Sequence, residues 1–178
     1  SDVYKRQPNI DAVFYIHKKI LPLIKSQIPE LRFYIVGANP PPRIKNLANE
    51  PYVIVTGFVE DIRRYIQRAN VVLAPMRKGS GIKNKMLEAM AMEKPVVTNP
   101  MGVEALNERA KNCLLIGKTA EEIANHVIDL LRDRERRLEL GKKGRKVVME
   151  EYSWNRVAEK YETLYIELLK NKQRGKKQ

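Results

Sequence analysis

The segment Lys78–Val97 reads KGSGIKNKMLEAMAMEKPVV, and the rest of the chain is best read outward from it. Gly79, Ser80 and Gly81 follow the apolar run VVLAP (71–75) and precede a helical pattern that begins near Ile82. A side-chain-poor turn at that place lets an anion approach the backbone, because no Cβ stands in its way. In open α/β sheets ligands bind beyond the carboxyl ends of the strands, which is where this turn falls. Lys83 or Lys85 would add positive charge beside it. Glu88, three residues beyond Lys85, lies on a neighbouring part of the same helix face. A carboxylate there can accept two hydrogen bonds from a vicinal diol such as a ribose. The plainer alternative is a glycine turn, a Ser80 cap and a Lys85–Glu88 surface pair that contributes little stability. The glycines match neither the phosphate loop ending in Gly-Lys-Ser/Thr nor the three-glycine dinucleotide fingerprint.

On either side of this segment, short apolar runs alternate with helical patterns. RFYIV (32–36), YVIVT (52–56), VVLAP (71–75), PVVTN (95–99) and NCLLI (112–116) read as strands. They are β-branched and apolar on both faces, as strands of a doubly covered parallel sheet must be. Helices are expected over 10–27, 60–69, 82–92 and 119–132, the last opened by a Thr119/Glu122 capping box. This alternation predicts an α/β fold, a doubly wound parallel sheet of Rossmann-like type with helices at its C-terminal end. Beyond residue 133 the pattern is helical only. A charged stretch over 134–150 precedes a stripe of Trp154, Val157, Tyr161, Leu164, Tyr165 and Leu168. That spacing predicts side chains that pack.

With 178 residues the chain has the length of one ordinary domain, and neither a repeat nor a linker divides it. No apolar run is long enough to span a bilayer and no secretory signal pattern is present, so a cytoplasmic location is expected. The single cysteine, Cys113, sits in an apolar run and reads as a buried thiol. His17 and His126 are far apart in sequence, so no metal site is expected. The net charge of +13 predicts attraction to anions. Aromatic residues are not interleaved with the basic runs, which argues against a nucleic-acid-binding module. The basic end, residues 170–178, reads as a disordered, solvated tail, with peripheral contact to an anionic membrane as the rival reading.

The order of the motifs says more than any one of them. PNIDAVFYI, LRFYIVGANPP, VIVTGFVEDIRRYIQRANVVLAP, GSGIKNKMLEAMAMEKPVV and a late YSW resemble the C-terminal half of a retaining GT-B glycosyltransferase of family 4 (group 1) type. The resemblance covers residues 8–169 and implies a domain that binds a nucleoside-diphosphate sugar as substrate, with no cofactor. An upstream acceptor-binding domain would face it across a cleft. Glu88, in LEAMA beside Leu87, would bind the donor ribose. The backbone at Gly81 and Ile82, with Lys85 nearby to offset charge, would sit by the diphosphate, Ser80 would lie near the donor sugar, and Gly79 and Lys83 are further expected donor-binding residues. Glu88 and Lys85 are thus the expected catalytic residues. In the loop TGFVED, Val59 would contact the base through its backbone and Asp61 would read its edge. Gly37 would line the same cleft. Transfer to an acceptor hydroxyl in glycan or cell-envelope polysaccharide synthesis, with retention and without a metal ion, is what the family implies. A sugar-nucleotide epimerase of the same fold is the rival enzyme.

The chain also departs from the family. Ser80 stands where many relatives carry a first glutamate. Glu93 occupies a helix end where relatives usually have glycine, at a cost of about 1 kcal/mol if the geometry is left-handed. Residues 1–7, SDVYKRQ, do not fit the pattern and read as a non-native scar. The family's first, central strand and its basic loop would precede Pro8, so the chain is expected to be a fragment, inactive by itself. Without that strand, RFYIV and VVLAP would have unpaired edges.

Overall fold

Parallel strands form where the apolar runs predict them, but in two sheets. The computed structural model describes residues 2–79 and 81–175. β1 (Phe33–Val36) pairs with β2 (Val53–Gly57), with a register shift between Ile35 and Val36. β3 (Val72–Leu73), β4 (Val96–Thr98) and β5 (Leu115–Ile116) form the second sheet, with β4 in the middle. No ladder among the described residues joins β1 to β3.

Helices cover both faces of β4, and its alternation shows how. Val96 and Val97 are each fully buried, yet they enter different clusters because successive strand residues point to opposite faces. On Val97's side lie α1 (Asp2–Tyr15), a π-turn (Ile16–Ile20), α2 (Leu21–Lys25) and, further along the chain, α8 (Ala120–Arg132). Ile20, Leu21, Ile24, Ile123 and Leu130 there leave 1% or less of their surface exposed. Val53 of β2 joins the same cluster, so both sheets share one core. On Val96's side α5 (Asn84–Ala91) buries Met86, Ala89 and Met90, and α9 (Arg134–Glu151) buries Val147 and Val148. Cys113 is buried in this cluster. The doubly covered parallel α/β arrangement is the fold expected.

The Thr119 cap forms, accepting from the Glu122 N–H at 3.2 Å, while the Glu122 carboxylate accepts from the Lys118 N–H at 2.7 Å. The helix expected at 60–69 is α4 (Arg63–Arg68). The sequence reading lacks three one-turn helices, α3 (Pro42–Lys45), α6 (Pro100–Val103) and α7 (Glu108–Lys111). A single turn carries no periodicity to read.

Two other expectations change. The Trp154–Leu168 stripe does not pack on the described chain: α10 (Trp154–Gly175) leaves Trp154 88% exposed and also exposes Tyr161, Leu164, Tyr165 and Leu168. The basic end expected to be disordered from residue 170 is helical as far as Gly175, and α1 already begins at Asp2 within the segment read as a scar.

α5 is held by α9 at very short range. A β-carbon on Gly141 would lie 2.0 Å from the Glu93 carbonyl oxygen, so only glycine fits. The end of α5 is closed by Lys94 N–H donating to Ala89 O at 2.9 Å and Arg145 donating to Ala91 O at 2.8 Å. Glu93 turns the chain there at φ 59°, a left-handed geometry that favours glycine. Glu93→Gly should therefore stabilise the fold by about 1 kcal/mol by relieving this conformation. Gly141→Ala should destabilise it by about 1–3 kcal/mol. Urea denaturation monitored by circular dichroism distinguishes the two directions.

Candidate donor site at the carboxyl ends of the strands

The site is built around the exit from β3. Thr98, fully buried, donates its hydroxyl to Ala74 O at 2.9 Å and ties β4 to the segment leaving β3. One residue on, Asn99 closes that segment: its Oδ1 accepts from Met76 N–H at 2.9 Å and its Nδ2 donates to Met76 O at 2.8 Å. The same Oδ1 accepts from Gly102 N–H at 3.1 Å and caps α6. Asn99 thus sets where the glycine turn departs. The sequence signal for it was a capping residue before Pro100, which the strand reading of PVVTN concealed.

Gly79 and Gly81 have φ of +97° and +77°, so both glycines are required by the backbone. A β-carbon on Gly81 would meet nothing within 4 Å, which leaves the approach to this backbone clear. Ser80 lies outside the described residues. Ile82 is 46% exposed, and the helix begins at Asn84, two residues later than expected. No side chain caps α5, whose N-cap residue is Lys83. Its first-turn amides point out of the turn, and the helix dipole places partial positive charge there. The Lys83 ammonium donates to Gly79 O at 3.1 Å and braces the turn.

Lys85 and Glu88 do not form the surface pair of the plainer alternative. The Lys85 ammonium donates to Asn9 Oδ1 at 2.7 Å and lies 3.2 Å from Met76 Sδ. Partial desolvation of that ammonium, with the like charge of Lys83, holds the Lys85 pKa below the ordinary lysine value. Glu88 stands on the exposed side of α5, opposite the buried Met86, Ala89 and Met90. Leu87 is half-buried against the core.

The other predicted residues lie at the ends of β1 and β2. Gly37 is exposed, and a β-carbon there would touch nothing within 4 Å. Gly57 turns the chain after β2 with φ +70°; Phe58 follows, 75% exposed, then half-buried Val59. Asp61 has both carboxylate oxygens engaged by Arg63, at 2.8 and 3.1 Å, and accepts from the Arg63 N–H at 3.0 Å. These bonds lower its pKa and give it a local role in starting α4. Helix α1 reaches the loops after β1 and β3 alike: Arg43 lies over the Phe14 ring and Arg77 over the Tyr15 ring, each 5.5 Å from the centroid. Among the described residues no group of three or more His, Cys, Asp or Glu could hold a metal, and no helix is long and apolar enough to cross a membrane.

A parallel α/β layer of this kind is the architecture of a GT-B glycosyltransferase domain. The sequence model described as "Glycosyl transferases group 1" matches residues 4–133, and the chain belongs to that family. It is 28% identical over 137 residues to N-acetyl-alpha-D-glucosaminyl L-malate synthase of Bacillus anthracis, covering 75% of this chain and 35% of that protein. Sucrose-phosphate synthase from Thermosynechococcus elongatus superposes with a TM-score of 0.66 at 25% identity, covering 85% of this chain and 42% of that one. Anabaena Alr3699/HepE, solved in complex with UDP, superposes with a TM-score of 0.64 at 21% identity over 80% of this chain and 44% of that one, a likeness of fold. The chain spans 35–40% of the length of the curated relatives it matches.

Two measurements check this local structure. Asn99→Ala removes three hydrogen bonds and leaves Met76 without its side-chain partner, and should destabilise the fold by about 2–3 kcal/mol in urea denaturation. Lys85, with its depressed pKa, has a larger neutral amine fraction at pH 8 than an ordinary lysine. It should acylate faster than Lys142 or Lys146 in a mass-spectrometric labelling time course.

Proposed function

We propose that the chain is the donor-binding half of a longer glycosyltransferase that moves a sugar from a nucleoside-diphosphate sugar to an acceptor hydroxyl. The observation that carries this is the positive-φ glycine turn running from β3 into an uncapped helix that bears Lys85 and Glu88. The exposed Glu88 carboxylate suits the two ribose hydroxyls, as a bidentate acceptor. The diphosphate would lie on the amides of Gly81 and Ile82 and on the first turn of α5, with Lys85 beside it. As the glycosidic bond breaks, the leaving diphosphate gains negative charge, which preoriented amides and the ammonium stabilise without reorganising. Retention and independence of metal are part of the proposal.

The acceptor site and any catalytic base belong, in this reading, to the preceding half of the protein. The break between β1 and β3 and the share of the relatives that the chain spans support this. Gly37 and the Gly57–Asp61 loop would line the base side of the cleft. There Asp61 must leave Arg63 if it is to read a base edge.

Glu88→Gln tests the donor reading directly. Calorimetric titration of the 178-residue chain with UDP and GDP should show binding of at least one of them. The variant should weaken it about tenfold, as expected for loss of a charged hydrogen-bond acceptor. Equal affinity of the two proteins would remove Glu88 from the site.

A further inference from the structure

Arg77 lies two residues before the first glycine of the turn, and neither motif nor spacing singles it out. Its position comes from α1. One guanidinium nitrogen is 3.8 Å from Asp11 Oδ1, and the guanidinium carbon is 5.5 Å from the Tyr15 ring centroid. Asp11 and Tyr15 are four residues apart and therefore share a face of α1, so one helix face orients the whole group. The first contact is an ion pair too long for a hydrogen bond, and the second is a stacking contact. Neither consumes an N–H. Among the described residues no hydrogen bond uses any of the five Arg77 donors, and the side chain is 55% exposed. Asn9, two residues before Asp11 on α1, holds Lys85 at 2.7 Å. The two cations that flank the glycine turn are thus aimed by neighbouring residues of a single helix.

A guanidinium held in place with its donors uncommitted is suited to a bidentate grip on phosphate oxygens. Asp11 Oδ2 is buried and has no hydrogen-bond partner among the described residues. Arg77 is the cation paired with Asp11 among the described residues, which favours a guanidinium that stays beside it. Along the chain the order is Arg77, Gly79, Gly81, Lys85, Glu88. Arg77 precedes the glycine turn and Lys85 and Glu88 follow it, so with the ribose at Glu88 and the first phosphate at the start of α5 the proposed donor would extend its second phosphate to the Arg77 side of the turn.

We infer that Arg77 is a binding residue for the distal phosphate of the donor and sets the preference of the site for diphosphates over monophosphates. The inference rests on the proposed donor site, and its test separates the two. The 178-residue chain and its Arg77→Ala, Arg77→Lys and Glu88→Gln variants are titrated calorimetrically with UDP, UMP, GDP, GMP and pyrophosphate. Circular dichroism confirms that each variant is folded. Arg77→Ala should lower diphosphate affinity about tenfold and change monophosphate affinity less than threefold, with partial recovery in Arg77→Lys. Glu88→Gln should weaken both nucleotides alike and leave pyrophosphate unchanged. An unaltered ratio of diphosphate to monophosphate affinity in Arg77→Ala overturns the role of Arg77 while the donor site stands. Pyrophosphate bound through Arg77 with no contribution from Glu88 or the nucleoside overturns the donor reading while the anion site stands. No binding of any of these ligands overturns both.

Discussion

The contact between Glu93 and Gly141 governs the placement of everything at the strand ends. α5 carries Lys85 and Glu88 on one side and Met86, Ala89 and Met90 on the other, so its rotation decides which residues face solvent. That rotation is locked because the backbone at Gly141 comes within side-chain distance of the Glu93 carbonyl, and Gly144 meets Met90 just beyond it. Arg145 then closes the last turn of α5 through Ala91 O. The left-handed Glu93 is the strain that this closure imposes, and a local cost of this kind survives only where surrounding contacts over-determine it.

Around that fixed helix, the polar connections work in series. Thr98 ties β4 to Ala74 O, Asn99 holds Met76, and the chain then leaves into two glycines with positive φ. Each link uses a buried or half-buried donor or acceptor that would be costly to leave unpaired. The result is an exposed turn with a fixed origin and a fixed end. The cations beside it are governed from elsewhere in the chain, by Asn9 and Asp11 on α1, some seventy residues earlier.

Much of the architecture was legible because the signals are local and repeated. Each of the five apolar runs contains a strand, since a segment apolar on both faces has few places to go except a doubly covered sheet. The Thr119 cap and the amphipathic α8 were equally readable. The α10 stripe was read correctly as helical, but apart from half-buried Val157 it stands exposed on the described chain, because periodicity reports which side is apolar and not whether anything covers it. Lys85 shows the same limit at a single residue. Its spacing from Glu88 allowed a surface pair as the plainer alternative, yet its partner is Asn9, distant in sequence.

The sequence by itself determined the order of strands and helices, the glycine turn, and the presence of a carboxylate and lysines on the helix that follows. Motif order also determined the family. Tertiary structure alone decided that β1 and β3 stand apart, that Asn99 closes the β3 exit, and that Arg77 and Lys85 are aimed by α1. It also decided that α9, whose charged sequence hides its purpose, clamps α5 through two glycines. The physical reason is the range of the forces involved. Strand, helix and turn preferences arise within a few residues, whereas the orientation of a site arises from close approach and hydrogen bonding between segments that meet only when the chain folds.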